Sequence, residues 1–340
     1  MTNGKEAIQC DRQTDRQTDR QTDRQTRFLF LDVAKGLLIL SVVLGHLLCI
    51  EGILPSGIKS VIYTFHMPAF FIISGILTNP DRIRRESFSA FVAKKACRLL
   101  IPYVFFELTG GLWQMLIMGR DAVNPIGILY SIVTIHPHVG ADWFLPTMFM
   151  AELLLWLVVK AEKKRIYPFV ILGCFAAAFL IPDLNHLVVC FRRVLVALAF
   201  LLCGILGKQF FIKHSIPGLV LSGLAVIMIA FVNGIVDLYW RQFGNPLFYI
   251  AGGILGTYWI LNLSHFLSGR LAKTLARIGR SSLIIMGTHQ NIQVTISVLF
   301  GGPYTEAVFL IASIATIIYE LIIVPVYEKY VPFFVGIRKN

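Results

Sequence analysis

Of 340 residues, 56% are hydrophobic and only 15% charged, where ordinary soluble domains carry about 25% charged residues. Apolar runs of around twenty residues recur from Phe28 to Tyr327, which excludes both a soluble enzyme and a soluble domain on one anchor. The net charge of +12 does not indicate nucleic acid as a partner, because the cations lie between apolar segments, where membrane topology accounts for them.

The chain opens on a polar tail, residues 1–27. Asp11 to Thr26 is four copies of Asp-Arg-Gln-Thr. The segment is nearly charge-balanced and has no apolar periodicity, so disorder is expected. The codons GAC AGA CAG ACA spell one copy, and they also spell GACA repeated. Gain or loss of one such unit shifts the reading frame, and no methionine lies between Met1 and Met67. Phase-variable expression through repeat slippage is therefore expected, as suits a bacterial enzyme that alters a surface antigen.

An all-α bundle follows, a transmembrane domain over residues 28–330 with a cytoplasmic tail at 331–340. Ten spans are expected, near 28–50, 58–78, 99–119, 143–159, 166–182, 187–207, 217–235, 246–264, 281–300 and 305–327. The loops are short, so no soluble domain is inserted. One set of loops holds Arg82, Arg84, Arg85, Lys94, Lys95 and Arg98, then Lys160, Lys163, Lys164 and Arg165, and later Arg270, Lys273, Arg277 and Arg280. The opposite loops hold only Arg120 and Arg241. The basic side is then cytoplasmic and both termini lie inside. None of the six cysteines shows CxxC spacing, and free thiols are expected.

The first span, LDVAKGLLILSVVLGH from Leu31 to His46, carries Asp32, Lys35 and His46. Eleven residues separate Lys35 from His46, which puts both on one helix face about 16 Å apart along the axis. Ionisable groups are costly in lipid and face a cavity or a partner. This helix is expected to line a polar path, with a neutral imidazole able to take and return a proton. Lys35 either snorkels to the headgroups or holds an anion, and Asp32 is its plausible partner.

Span two contains YTFHMPAFFIISG. Pro68 removes a helical hydrogen bond beside His66, and Gly75 with Ser74 allows close helix approach. Before span three, Lys95 and Arg98 share a helix face, as positive-inside anchors or as a phosphate-holding pair. Asp142 and Trp143 open span four, with Trp143 at the outer interface, and Glu152 follows about 13 Å deep. Such a carboxylate needs a reason: to orient a histidine or to bind a sugar hydroxyl. Glu107 and Glu320 are weaker candidates, and Arg192–Arg193 either hold an anion or sit at the interface. In span nine His289, Gln290 and Asn291 make a polar step that would close the same cavity.

Together LDVAKGLLILSVVLGH, FHMPAFFIISG, KKACRLLIPY, DWFLPTMFMAEL and IGRSSLIIMGTHQ resemble the acyltransferase-3 family of membrane-bound O-acyltransferases, in the branch similar to fucose 4-O-acetylase. The resemblance covers about residues 27 to 330. The family's basic-x10-His motif maps onto Lys35 and His46, and its basic pair before span three onto Lys95 and Arg98, with lysine standing twice where arginine is commonest. The resemblance implies an acetyl or other short acyl group passing from cytoplasmic acyl-CoA to a glycan hydroxyl, in a multi-pass protein of the bacterial inner membrane. With the polar residues of the spans, this makes His46 and Glu152 the candidate catalytic residues, places Lys35, Lys95 and Arg98 at the acyl donor, and leaves Asp32, His66, Trp143, His289 and Gln290 in support. No bound cofactor and no metal are expected; acetyl-CoA is a co-substrate, and the partners are acyl-CoA, the glycan acceptor and the bilayer. Direct attack and a transient acyl-histidine both fit. A transporter or flippase for an anionic glycan or metabolite is the rival reading; duplicated halves would favour it, and no convincing internal repeat is seen.

Overall fold

The computed structural model describes residues 29–47, 53–119, 123–134, 140–161, 164–181, 186–301 and 306–337. The repeat tail 11–26 lies outside them. Each of the ten expected spans falls on a helix. In chain order these are α1 (Leu29–Leu47), α2 (Ile53–Leu77), α4 (Phe88–Met118), α6 (Phe144–Lys160), α7 (Tyr167–Leu180), α8 (His186–Leu206), α10 (Ile216–Asn233), α11 (Pro246–Phe266), α13 (Ser282–Leu299) and α14 (Glu306–Tyr330). Among the described residues four more α-helices connect them: α3 (Pro80–Arg85), α5 (Pro125–Thr134), α9 (Lys208–Ile212) and α12 (Gly269–Arg280). Among the described residues, six helices are long and apolar enough to cross a membrane by themselves: α1, α2, α4, α10, α11 and α14. At 17 and 14 residues, α6 and α7 are shorter, and α13 spends its middle on His289, Gln290, Asn291 and Gln293.

Helix is the structure expected where no water can satisfy a backbone amide. The ends carry local signals. Asn79 caps α3 through the Asp81 and Arg82 amides, and Ser215 caps α10 through Gly218. Asn245 caps α11 ahead of Pro246, whose missing N–H costs nothing in the first turn.

Helix α8 is the axis of the bundle. Val194 to Leu202 is buried throughout, and the helix packs on α2, α6 and α7. Its crossing with α2 is set by two glycines. A Cβ on Gly75 would strike the Leu201 carbonyl, and one on Gly204 the Ile72 carbonyl. Here the chain uses small residues to bring helix backbones together. A similar contact seats α12 on α1, where Gly36 meets the Leu275 carbonyl and Gly279 the Asp32 carbonyl. Helix α12 is amphipathic. Ala272, Leu275, Ala276 and Gly279 are buried, while Arg270, Lys273, Arg277 and Arg280 face out, the pattern of a helix lying along a membrane surface.

Outward faces are apolar as well. Leu180 is 80% exposed, Met228 67% and Leu321 70%. An interior and a periphery that are both hydrophobic make this a multi-pass membrane protein. The segment after α14 folds back on the bundle, with Val335 buried and Phe334 stacked on Phe105.

Candidate functional site

A cavity of about 380 Å³ opens between the helix ends on the side of the bundle where α1 finishes. Helix α1 contributes Val42 and His46. Helix α2 contributes Lys59, Tyr63, His66, Met67 and Phe70, spaced as one face of a helix. The turn into α6 supplies Gly140, Ala141 and Trp143. One wall is not a helix. It is the short hairpin between α10 and α11, contributing Ile235, Asp237, Leu238, Tyr239, Trp240 and Gln242.

His46 is held from α13. Gln290 Nε2 lies 3.1 Å from His46 Nδ1, and its Oε1 accepts the Ala141 backbone N–H at 3.2 Å. A backbone amide can only donate, so it fixes which end of the glutamine amide is oxygen. The NH2 end must then donate to Nδ1, which leaves the ring proton of neutral His46 on Nε2. Two other imidazoles stand nearby with the opposite tautomer. His66 Nδ1 lies 2.9 Å from the Ile62 carbonyl, and His289 Nδ1 2.8 Å from that of Ile285. Carbonyls accept only, so both rings carry hydrogen on Nδ1 and keep Nε2 as acceptor. The His289 ring is fully buried, with its centroid 5.3 Å from that of His46. One cavity is thus lined by two imidazoles of opposite tautomer, His46 and His66.

Sequence reasoning did not single out the hairpin wall. Asp237 and Gln242 pair through backbone hydrogen bonds of 2.7 and 2.9 Å, and Asp237 Oδ1 accepts the Trp240 amide at 3.0 Å. Asn233 ties the two ends together, donating to the Phe243 carbonyl and accepting the Asn245 amide. Burial pushes the Asp237 carboxyl up from its usual range. The Trp240 and Tyr239 amides and the Lys59 and Arg193 charges pull it back, without cancelling the shift. Arg193, only 1% exposed, lies between the Trp143 and Tyr239 rings at 5.6 and 4.9 Å. The one available signal was local. Gly234 and the Gly244-Asn245-Pro246 run bracket a stretch dense in aromatic and polar residues.

The remaining expected residues lie elsewhere. Lys35 Nζ is 2.7 Å from Asp32 Oδ1, whose other oxygen is 3.6 Å from Arg280. Lys95 Nζ is 2.6 Å from Glu152 Oε1. Arg98 is exposed. None of Asp32, Lys35, Lys95, Arg98 or Glu152 lines the cavity. The structure therefore gathers His46, His66 and Trp143 around one space, with Gln290 and His289 behind His46. It places two ion pairs apart from that space. Glu107 accepts from Ser131 and Glu320 from Thr288, both away from the cavity. Arg192 Nε donates to the Ala178 carbonyl. Among the described residues, no three His, Cys, Asp or Glu side chains are grouped to hold a metal ion.

Fold and site together define a class: a multi-pass helical membrane protein with a histidine-bearing cavity between its helices. A family model described as an acyltransferase domain matches residues 28–324. The chain belongs to this acyltransferase-3 family. It is also similar to the nodulation protein NolL of Mesorhizobium japonicum (strain LMG 29417 / CECT 9101 / MAFF 303099), 31% identical over 150 residues, covering 42% of this chain and 38% of the relative. A second NolL, from Sinorhizobium fredii (strain NBRC 101917 / NGR234), is 34% identical over 121 residues, covering 30% of this chain and 33% of the relative. The chain thus spans well under half the length of these curated relatives. No solved structure matches it.

Proposed function

We propose that this protein is an integral membrane O-acyltransferase. It moves an acetyl or other short acyl group from cytoplasmic acyl-CoA to a hydroxyl of a surface or secreted glycan, across the bacterial inner membrane. Membership of the acyltransferase-3 family supports the reaction class. The observation that carries the reading is His46 lining a cavity within a membrane bundle, with its ring nitrogen held by a neutral amide.

The chemistry balances on one imidazole. The acceptor oxygen attacks the thioester carbon as its proton passes to His46. The carbon–sulfur bond breaks, and the proton goes on to the departing CoA sulfur. In the resting ring the lone pair is on Nδ1, where the Gln290 amide donates, so the acceptor hydroxyl reaches it by taking the place of that amide. His66 Nε2 remains to accept a second hydroxyl of the same glycan. Lys35, Lys95 and Arg98, at the basic end, are the groups suited to the donor's phosphates. Lys35 and Lys95 would then trade Asp32 and Glu152 for phosphate oxygens. Glu152, held at Lys95, acts at that end rather than on His46.

The test uses purified protein in nanodiscs with acetyl-CoA and a panel of glycans. Free CoA should appear together with a glycan heavier by one acetyl group, and His46→Ala should abolish both. No CoA release from any wild-type reaction, with uptake of a glycan into sealed vesicles instead, would make the protein a transporter. The repeat tail has its own test, in the gene. An unbroken GACA register supports switching by slippage, and mixed synonymous codons sink it.

A further inference from the structure

The geometry points to an acceptor subsite in the hairpin Ile235–Gln242. We propose that it holds a pyranose, with the sugar's C–H face on Trp240 and its hydroxyls toward Asp237 and Gln242. The assignment as acceptor rests on the acyltransferase reading, but the binding is measurable without turnover.

Three observations carry it. First, the segment is built rather than merely connecting. It is pinned by its own bridge, by the Asp237–Trp240 hydrogen bond and by Asn233 across its ends. Arg241 adopts φ 59°, the one positive φ at a non-glycine among the described residues, a backbone cost that such loops retain where the surroundings enforce it. A buried arginine packed against Tyr239 backs it from within. Second, the hairpin and His46 line the same cavity. A ring seated on the hairpin would therefore share one space with the imidazole. Third, the lining matches the ligand. Trp240 is 63% exposed beside the cavity, a large apolar face left open next to a carboxylate and an amide. A pyranose offers the complement, an apolar C–H face and a rim of hydroxyls.

The competing occupant of an exposed tryptophan at a membrane boundary is lipid. Ligand-observed saturation-transfer NMR on the full chain in nanodiscs separates the two. The probes are methyl glycosides of neutral hexoses and deoxyhexoses. At least one of them should show saturated ring C–H protons. Trp240→Ala should cut that signal about tenfold or more, and Trp240→Phe should largely keep it. Thermal unfolding of each variant checks that the bundle is intact. Saturation indifferent to Trp240→Ala in a folded protein, or absent for every neutral glycoside, overturns the subsite. If neutral glycosides bind through Trp240 but no thioester is ever consumed, the subsite stands and the transferase reading falls. If CoA is released while binding ignores Trp240, the reverse holds.

Discussion

Gln290 on α13 donates from Nε2 to His46 Nδ1 on α1 at 3.1 Å, while its Oε1 is held by the Ala141 amide at 3.2 Å. The glutamine therefore sets which imidazole nitrogen carries the proton. Gln290→Glu keeps the size and the Ala141 bond, but places an acceptor where a donor stood. His46 must then carry its proton on Nδ1 and free Nε2, and the carboxylate favours the charged ring. The acid limb of the pH–rate profile should move to higher pH, with KM for acetyl-CoA little changed. Gln290→Leu leaves the Ala141 amide without its acceptor and the His46 tautomer unset, and should lower kcat about tenfold, part of what a positioned acid–base group supplies. A profile identical in wild type and Gln290→Glu would show that the hydrogen bond does not control the ring.

Lys95 and Glu152 form a largely buried pair at 2.6 Å, and Glu152 Oε2 has no hydrogen-bond partner among the described residues. Removing one member leaves a buried charge uncompensated. Lys95→Met should destabilise the protein by about 3–5 kcal/mol, and Lys95→Met with Glu152→Leu should recover most of that. Thermal unfolding in detergent reads the stability. Activity separates structure from donor binding. If the double variant is stable yet its KM for acetyl-CoA rises, Lys95 binds the donor's phosphates. If stability and KM recover together, the pair is only structural.

The sequence made the bundle readable because burial in lipid has a blunt signature: length and apolarity. It made His46 and His66 readable for the same reason, as costly groups in otherwise apolar segments. It did not reveal that Gln290 meets His46, 244 positions away. Periodicity fixes the face of a helix but not which neighbour that face meets. Helix α12 was hidden in a different way. Its Arg and Lys were read as topology, although Ala272, Leu275, Ala276 and Gly279 lie at helical spacing and are buried. The hairpin was hidden because a two-residue bridge leaves no period to detect. Lys95 and Glu152 were each visible, but their pairing depends on how α4 packs against α6.

Gly75 and Gly204 bring α2 and α8 into backbone contact, and Gly75 was recognisable beside Ser74 as a site of close approach. Alanine at either position must push the helices apart, because the obstacle is a carbonyl rather than a flexible side chain. Gly75→Ala and Gly204→Ala should each cost about 1–3 kcal/mol. The double variant should cost less than the sum, since one separation relieves both clashes. Strict additivity in thermal unfolding would mean that the two glycines do not share one crossing.

Asp237 gives the hairpin a pH dependence whose sign follows from burial. Its folded carboxyl titrates above the ordinary range, while the unfolded value is about 3.9. A raised carboxyl contributes stability that is complete below the unfolded value and is lost as pH rises through the folded one. The hairpin should therefore open more easily toward neutral pH than in acid. Hydrogen exchange at the Trp240 amide, which Asp237 accepts, reports that opening once corrected for the intrinsic rate. Protection should fall as pH is raised from 4 to 7 in the wild type and stay flat in Asp237→Asn. Protection that rises with pH would mean that Lys59, Arg193 and the two amides outweigh burial, and that the ionised carboxylate is the form the hairpin is built to hold.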